Sequence, residues 1–202
     1  MGKIGRLVLV LGLIGIGSAV SLAWVRTSLA PRIEQQEDFY VRGPALARLF
    51  HCPAEEMLAN KVVIDTETSS YPVFFRTDGG EIVGLAVQAA GRGGYGGDIV
   101  MMIGIDQAAG ELLGVEIISH SETPGLGANV AKDEFRQQWA GLSTADHVAL
   151  RSAGGSIDAL SGATFSSGAM MDGTNQILDL LQAHTEDIMT AIDQKTTSGG
   201  AS

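Results

Sequence analysis

Cysteine is almost missing from this chain. Cys52 is the only one in 202 residues, which excludes an intramolecular disulfide, a CxxC redox pair, a CxxCH haem attachment site and a thiolate zinc centre. Runs of basic residues are missing too. The 13 Lys and Arg are scattered among 23 Asp and Glu, for a net charge of −10, so the chain lacks the clustered cations that a phosphate backbone selects and nucleic acid is excluded as a partner. No GxSxG elbow and no GxxxxGKS/T loop occurs, which leaves hydrolase and P-loop readings without support. No internal repeat is visible.

One long stretch without charge is present. Residues 7 to 25, "LVLVLGLIGIGSAVSLAWV", are flanked by Lys3 and Arg6 before and Arg26 after. At helical rise such a run matches the hydrocarbon thickness of a bilayer. A cleaved signal peptide is the competing reading, but the run exceeds a usual h-region and Trp24 sits where an interfacial aromatic belongs. The expectation is an uncleaved, single-pass anchor over residues 1–27. Positive charge on its two sides is nearly even, so charge alone does not orient it.

Residues 28–60 read as a helical stalk, polar at first and amphipathic toward Phe50, with a short helix in "CPAEEMLAN". The period then changes. "KVVIDTE", "YPVFFRT", "EIVGLAVQAAG", "DIVMMIGID" and "ELLGVEIISHS" are short β-branched segments separated by the turns "TDGGE", "GRGGYGG" and "DQAAGE", which predicts an antiparallel meander. Val130, Phe135 and Trp139 have helical spacing, "HVALR" at 147–151 reads as a further strand, and a helix or helix pair follows from about 165 to 193. The predicted class is α+β, helices packed on an antiparallel sheet over residues 61–193, with a disordered tail at 194–202.

Three loops carry chemistry. "GRGGYG" matches G-x-G-x-x-G through Gly91, Gly93 and Gly96, but a strand follows where a dinucleotide fingerprint needs a helix, so the glycines belong to a hairpin. In "SHSETPGLG", His120 and Glu122 share a strand face, yet two ligands without a third make no metal site. A rigid loop presenting Glu122, Thr123 and Leu126 to a bound molecule is the better reading. His51-Cys52 has no orienting partner and reads as a surface histidine beside a small hydrophobe. "DALSGATFSS" at 158–167 precedes the last helix. Thr164 or Ser166 is either its N-cap or part of a phosphate site, because a helix N-terminus offers unpaired N–H groups and a positive dipole end.

Asp158-Ala159-Leu160-Ser161-Gly162-Ala163-Thr164 resembles the flavinylation motif D-x-x-S-G-A-T of FMN-binding domains. That family includes the G subunit of Rnf-type ion-translocating electron-transport complexes and the C subunit of the sodium-translocating NADH:quinone oxidoreductase. Gly94, Tyr95, Gly96 and Ile99 are similar to the family's G-Y-x-G-x-I stretch. His120, Glu122, Thr123, Pro124, Gly125, Leu126 and Gly127 are similar to its H-x-E-T-P-G-L-G loop. The resemblance implies FMN held by a phosphoester on Thr164, installed from FAD by a separate flavin transferase that reads Asp158, Ser161, Gly162 and Ala163. It also implies a flavin flanked by the Tyr95 and Glu122–Gly127 loops, with Ser166 nearby. The implied protein is an electron relay, not catalytic alone. It would sit among the other membrane subunits of an Rnf-type complex coupling ferredoxin:NAD electron transfer to ion translocation. Its FMN domain would lie on the extracytoplasmic side of the cytoplasmic membrane. A membrane-anchored flavoprotein reductase outside such a complex, and a non-redox scaffold in which SGAT is only a cap, are the alternatives.

Overall fold

A computed structural model describes residues 2–67 and 69–199. The chain divides into two units, Met1–Tyr40 and Val41–Ser202. The first is dominated by one helix, α1 (Lys3–Glu37, 35 residues). It is long and apolar enough to cross a membrane, and none of its most apolar window is buried. The Ser21 and Thr27 hydroxyls inside it donate to the carbonyls of Gly17 and Ala23, each at 2.8 Å, so neither is left unpaired in apolar surroundings.

The second unit is built on a five-stranded antiparallel sheet in the order β1-β2-β3-β4-β5. Its strands are β1 (Lys61–Asp65), β2 (Ser70–Asp78), β3 (Glu81–Gly94), β4 (Gly97–Asp106) and β5 (Glu111–Ser119). All five expected strands and the meander are present. The strands read as continuous apolar runs because both faces of the sheet are covered. On β2, Val73 and Phe75 point into the larger core while Phe74 between them points into a second, smaller one, and all three are fully buried. On β3 and β4, Ala86 and Met102 join Phe74 in the smaller core.

The helices covering that second face were expected in the stalk. α2 (Gly43–Phe50) and α3 (Ala54–Ala59) bury Ala45, Leu46, Leu49, Phe50 and Met57 against Phe74, Ala86 and Met102. Residues 41–60 therefore pack on the domain, because their apolar stripe needs a sheet face to bury it. His51 ends α2 in the left-handed region (φ 50°), and burial, helped by Glu56, pushes the thiol of the neighbouring Cys52 up.

The larger core lies under α5 (Thr164–Gly199), which buries Ala169, Met170, Ile177, Leu178, Ile188 and Ile192. It is one element with a kink at His184, consistent with the expected helix or helix pair. It runs on through 194–199, where a disordered tail is expected from composition, and Lys195 Nζ donates to the Lys61 carbonyl at 2.7 Å. Close approach of α5 to β3 needs glycine on both sides: a Cβ at Gly91 would strike the Ala169 carbonyl, and one at Gly173 would strike Gly91. Val130, Phe135 and Trp139 are buried on a chain of short turns, two 3₁₀ segments (Gly127–Ala131, Gln137–Trp139) flanking α4 (Asp133–Arg136). Trp139 Nε1–H donates to Thr174 Oγ1 at 2.8 Å, so the buried indole is satisfied from α5.

The strand expected at 147–151 is absent. Only a bridge between Leu150 and Ile157 forms there. The backbone of Val148 bonds instead to a side chain of α5. Its N–H donates to Asn175 Oδ1 at 2.8 Å, and its carbonyl accepts from Asn175 Nδ2 at 2.9 Å. One amide side chain thus replaces the strand partner that the β-like sequence lacks.

Candidate functional site

The three loops singled out by sequence meet at the amino end of α5. "GRGGYG" is a strand-to-strand hairpin: β3 runs to Gly94, β4 starts at Gly97, and Tyr95-Gly96 is the turn between them. The "SHSETPGLG" segment leaves β5 and enters the 3₁₀ segment at Gly127. Leu160–Ala163 forms a turn, closed by the Ala163 N–H donating to the Leu160 carbonyl at 3.0 Å, and α5 begins at Thr164. Gly162 takes φ +74° there, which favours glycine.

Glu122 joins the three loops. It is buried, Oε1 accepts from the Gly96 N–H at 3.0 Å and Oε2 accepts from the Ser166 hydroxyl at 2.7 Å. The glycines around it leave it room. A Cβ at Gly94 would meet Glu122 Oε1, one at Gly127 would meet Oε2 and Ser166 Oγ, and one at Gly96 would meet the Ser121 carbonyl. His120 Nδ1 accepts from the Glu122 N–H at 3.2 Å, which uses that ring nitrogen in a local turn.

The N-cap reading of SGAT does not survive the geometry. Ser166 Oγ is bonded to Glu122, and Ser167 Oγ donates to the Ala163 carbonyl and accepts from the Leu160 N–H, each at 3.0 Å. Thr164 is exposed, and among the described residues its hydroxyl has no hydrogen-bond partner. The first helical bond runs from the Ser167 N–H to the Ala163 carbonyl, so the N–H groups of Thr164, Phe165 and Ser166 precede the ladder, with no partner among the described residues. A hydroxyl beside donors that precede the ladder, at the positive end of the helical stretch that runs from Thr164 to the kink at His184, suits a bound phosphate.

Beside Thr164 lies a cleft of about 340 Å³ lined by Tyr95, Glu122, Thr123, Leu126, Gly127, Gly162, Ala163, Phe165 and Ser166. That volume is in the range of small-molecule sites. Tyr95, Leu126 and Phe165 are 79%, 49% and 71% exposed. Among the second unit's described residues only Val41 and Val63 are other large exposed hydrophobics, so apolar exposure concentrates here. Phe165 was not foreseen. Its place directly after Thr164 was the available signal, but an aromatic entering a helix reads as core.

Other expected residues stand outside the cleft. Asp158 is exposed and held by Arg151 in a two-point ion pair (2.6 and 3.1 Å), which keeps its carboxyl below the usual value. Its backbone is clamped as well: the N–H donates to Gln138 Oε1 at 2.7 Å and the carbonyl accepts from Gln138 Nε2 at 3.3 Å. Ser161 is exposed in the turn. Pro124 and Gly125 shape the loop, where Gly125 takes φ +79° and its carbonyl accepts from Asn129 Nδ2.

A hairpin glycine, a buried loop carboxylate and an exposed threonine at a helix start are gathered at one end of an antiparallel sheet, an arrangement that suits a phosphorylated, partly apolar ligand. Residues 94–179 match the family model of the FMN-binding domain. It is 38% identical over 104 residues to the G subunit of the ion-translocating oxidoreductase complex of Methanosarcina acetivorans, a match covering 52% of this chain and about half (54%) of that relative. It is 28% identical to the G subunit of the Na(+)-translocating ferredoxin:NAD(+) oxidoreductase complex of Acetobacterium woodii, over 88% of this chain and 91% of the relative. The crystal structure of the C subunit of Na(+)-translocating NADH-quinone reductase from Parabacteroides distasonis has the same fold, at a TM-score of 0.56 and 20% identity, covering 78% of this chain and 95% of that one. With α1 in front of it, the domain is membrane-anchored.

Proposed function

We infer that this protein carries FMN covalently on Thr164 and relays electrons within an Rnf-type ion-translocating complex that couples ferredoxin:NAD electron transfer to ion movement. The observation that carries this reading is the exposed Thr164 hydroxyl, without a hydrogen-bond partner among the described residues, at the start of α5 beside an apolar-lined cleft. Maturation requires a flavin transferase. In that step Thr164 Oγ1 gives its proton to the transferase and bonds to the flavin-side phosphorus of FAD, while the pyrophosphate bond breaks and AMP leaves. One negative charge stays on the resulting phosphodiester.

When bound, FMN supplies reversible electron uptake and release. The N–H groups at the head of α5 hold the phosphate charge, and Tyr95, Leu126 and Phe165 cover apolar flavin surface and exclude water. Glu122 holds the hairpin and the head of α5 in register from beneath. The chain's own role is binding and orientation, and turnover belongs to the assembly with the other membrane subunits. The domain stands on the extracytoplasmic side, where a covalent bond prevents loss of a cofactor that the compartment does not resupply.

The test is the intact mass of the full chain purified from its native host, beside Thr164→Val. The expected result is a gain of FMN less one water in the wild type and none in the variant. An unmodified wild-type mass from cells with an active transferase overturns the reading.

A further inference from the structure

Two glutamates are buried in the second unit, and they are treated in opposite ways. Glu116 is compensated by two cations: it forms an ion pair with the guanidinium of Arg136, itself nine-tenths buried, and accepts from Arg48 at 2.8 Å. That pair lines a separate cavity of about 550 Å³ and is satisfied throughout, since Arg136 also bonds to Asp133 and to the Ala131 and Val115 carbonyls. Glu122 is just as deeply buried, and among the described residues no cationic side chain pairs with it. Its oxygens accept only from the Gly96 N–H and the Ser166 hydroxyl, and it lies in the wall of the cleft beside Thr164.

A buried carboxylate without a counter-ion acts on whatever shares its low-dielectric surroundings. Glycines at 94, 96 and 127 close tightly around the group, where even a Cβ would strike Glu122, Ser166 or neighbouring backbone, so no cationic side chain reaches it from these positions. We propose that Glu122 is a positioning residue whose uncompensated charge also lowers the reduction potential of the flavin bound in this cleft. Electron gain adds negative charge next to an existing one, which the surroundings cannot screen, so the oxidised form is favoured. This deepens the FMN reading and rests on it.

The experiment is a spectroelectrochemical titration of the flavinylated full chain, comparing wild type with Glu122→Gln and Glu122→Asp, each checked by intact mass. Gln keeps the shape and one acceptor but removes the charge. At a fixed ambient potential its reduced-to-oxidised ratio should rise roughly tenfold, which for a two-electron couple is about 30 mV upward. Asp keeps the charge and shortens the reach, so its potential should stay nearer the wild type, shifted upward by less. An unchanged potential in Glu122→Gln overturns the proposal. So does an equal shift in both variants, which would assign the effect to packing. If the Gln variant does not accumulate folded, a Glu122→Asp potential raised by the full tenfold in the ratio decides against the proposal, because the charge is still there, and one near the wild type supports it. Wild type lacking FMN by mass would be a failure of the underlying function, and is read separately from any of these.

Discussion

α1 and α5 are nearly equal in length, 35 and 36 residues, and opposite in almost everything else. Along α1, apolar side chains from Leu7 to Val25 are exposed all round the helix, and the hydroxyls bond back to their own helix. α5 buries one stripe in the larger core and exposes the other. The hydroxyls of Thr174, Thr185 and Thr196 bond back to its own carbonyls, but polar side chains also reach other elements, Ser166 to Glu122 and Asn175 to Val148, while Thr174 also accepts from Trp139. A helix that solvates itself suits lipid. A helix whose polar groups serve its neighbours organises a domain, and its free end becomes a binding site.

Each of the following changes strikes one side of that contrast. The largest effect is expected at the head of α5, where Thr164→Val abolishes covalent flavin completely, as read by mass and by in-gel flavin fluorescence. Deleting residues 2–40 should be equally all-or-none for location: the domain moves from the membrane pellet to the soluble fraction with its melting temperature unchanged. If the truncated domain unfolds, the independence of the two units fails.

Paired core substitutions sharpen the comparison. Ile177→Ala in α5, where the side chain is fully buried, should cost about 2–5 kcal/mol in chemical denaturation of the domain. Ile14→Ala in α1, 62% exposed, should leave that transition where it is. A smaller effect is expected from Phe165→Ala, which should keep the flavin by mass but change its fluorescence yield, as the ring loses an apolar neighbour.

The smallest concerns pH. Asp158 has its carboxyl pulled down by the hydrogen bond and charge of Arg151. A carboxyl lowered in the folded state stabilises it above the unfolded value, about 3.9, and loses that contribution as pH falls through the lower folded value. Both partners are well exposed, so the contribution is slight. Arg151→Gln should lower the melting temperature slightly at pH 7, where the contribution is fully present, and converge with the wild type as pH falls through the acid limb, while identical curves at every pH would mean the pair contributes nothing.

Much of the fold was legible along the chain. The five strands and their order follow from β-branched runs broken by glycine turns, since tight turns join neighbours in space. The three site loops were legible as loops for the same reason. What could not be read was which groups complete which. "HVALR" has a strand's composition, but Asn175, 27 residues further along, took the bonds of Val148. Residues 41–60 have the pattern of a free amphipathic stalk, and only the uncovered face of the sheet shows where their stripe goes.

The sequence by itself determined a helix long and apolar enough to cross a membrane and the antiparallel meander, because length, period and local turn chemistry act between near neighbours. Thr164 was singled out from Ser166 only by its place in the D-x-x-S-G-A-T string. Tertiary structure alone decided that Ser166 and Ser167 are engaged, that Phe165 joins Tyr95 and Leu126 in one cleft, and that among the described residues Thr164 has no partner and Glu122 no cation where Glu116 has two. Those are questions of which donor reaches which acceptor across 26 or 44 residues of chain, and only the packed fold answers them.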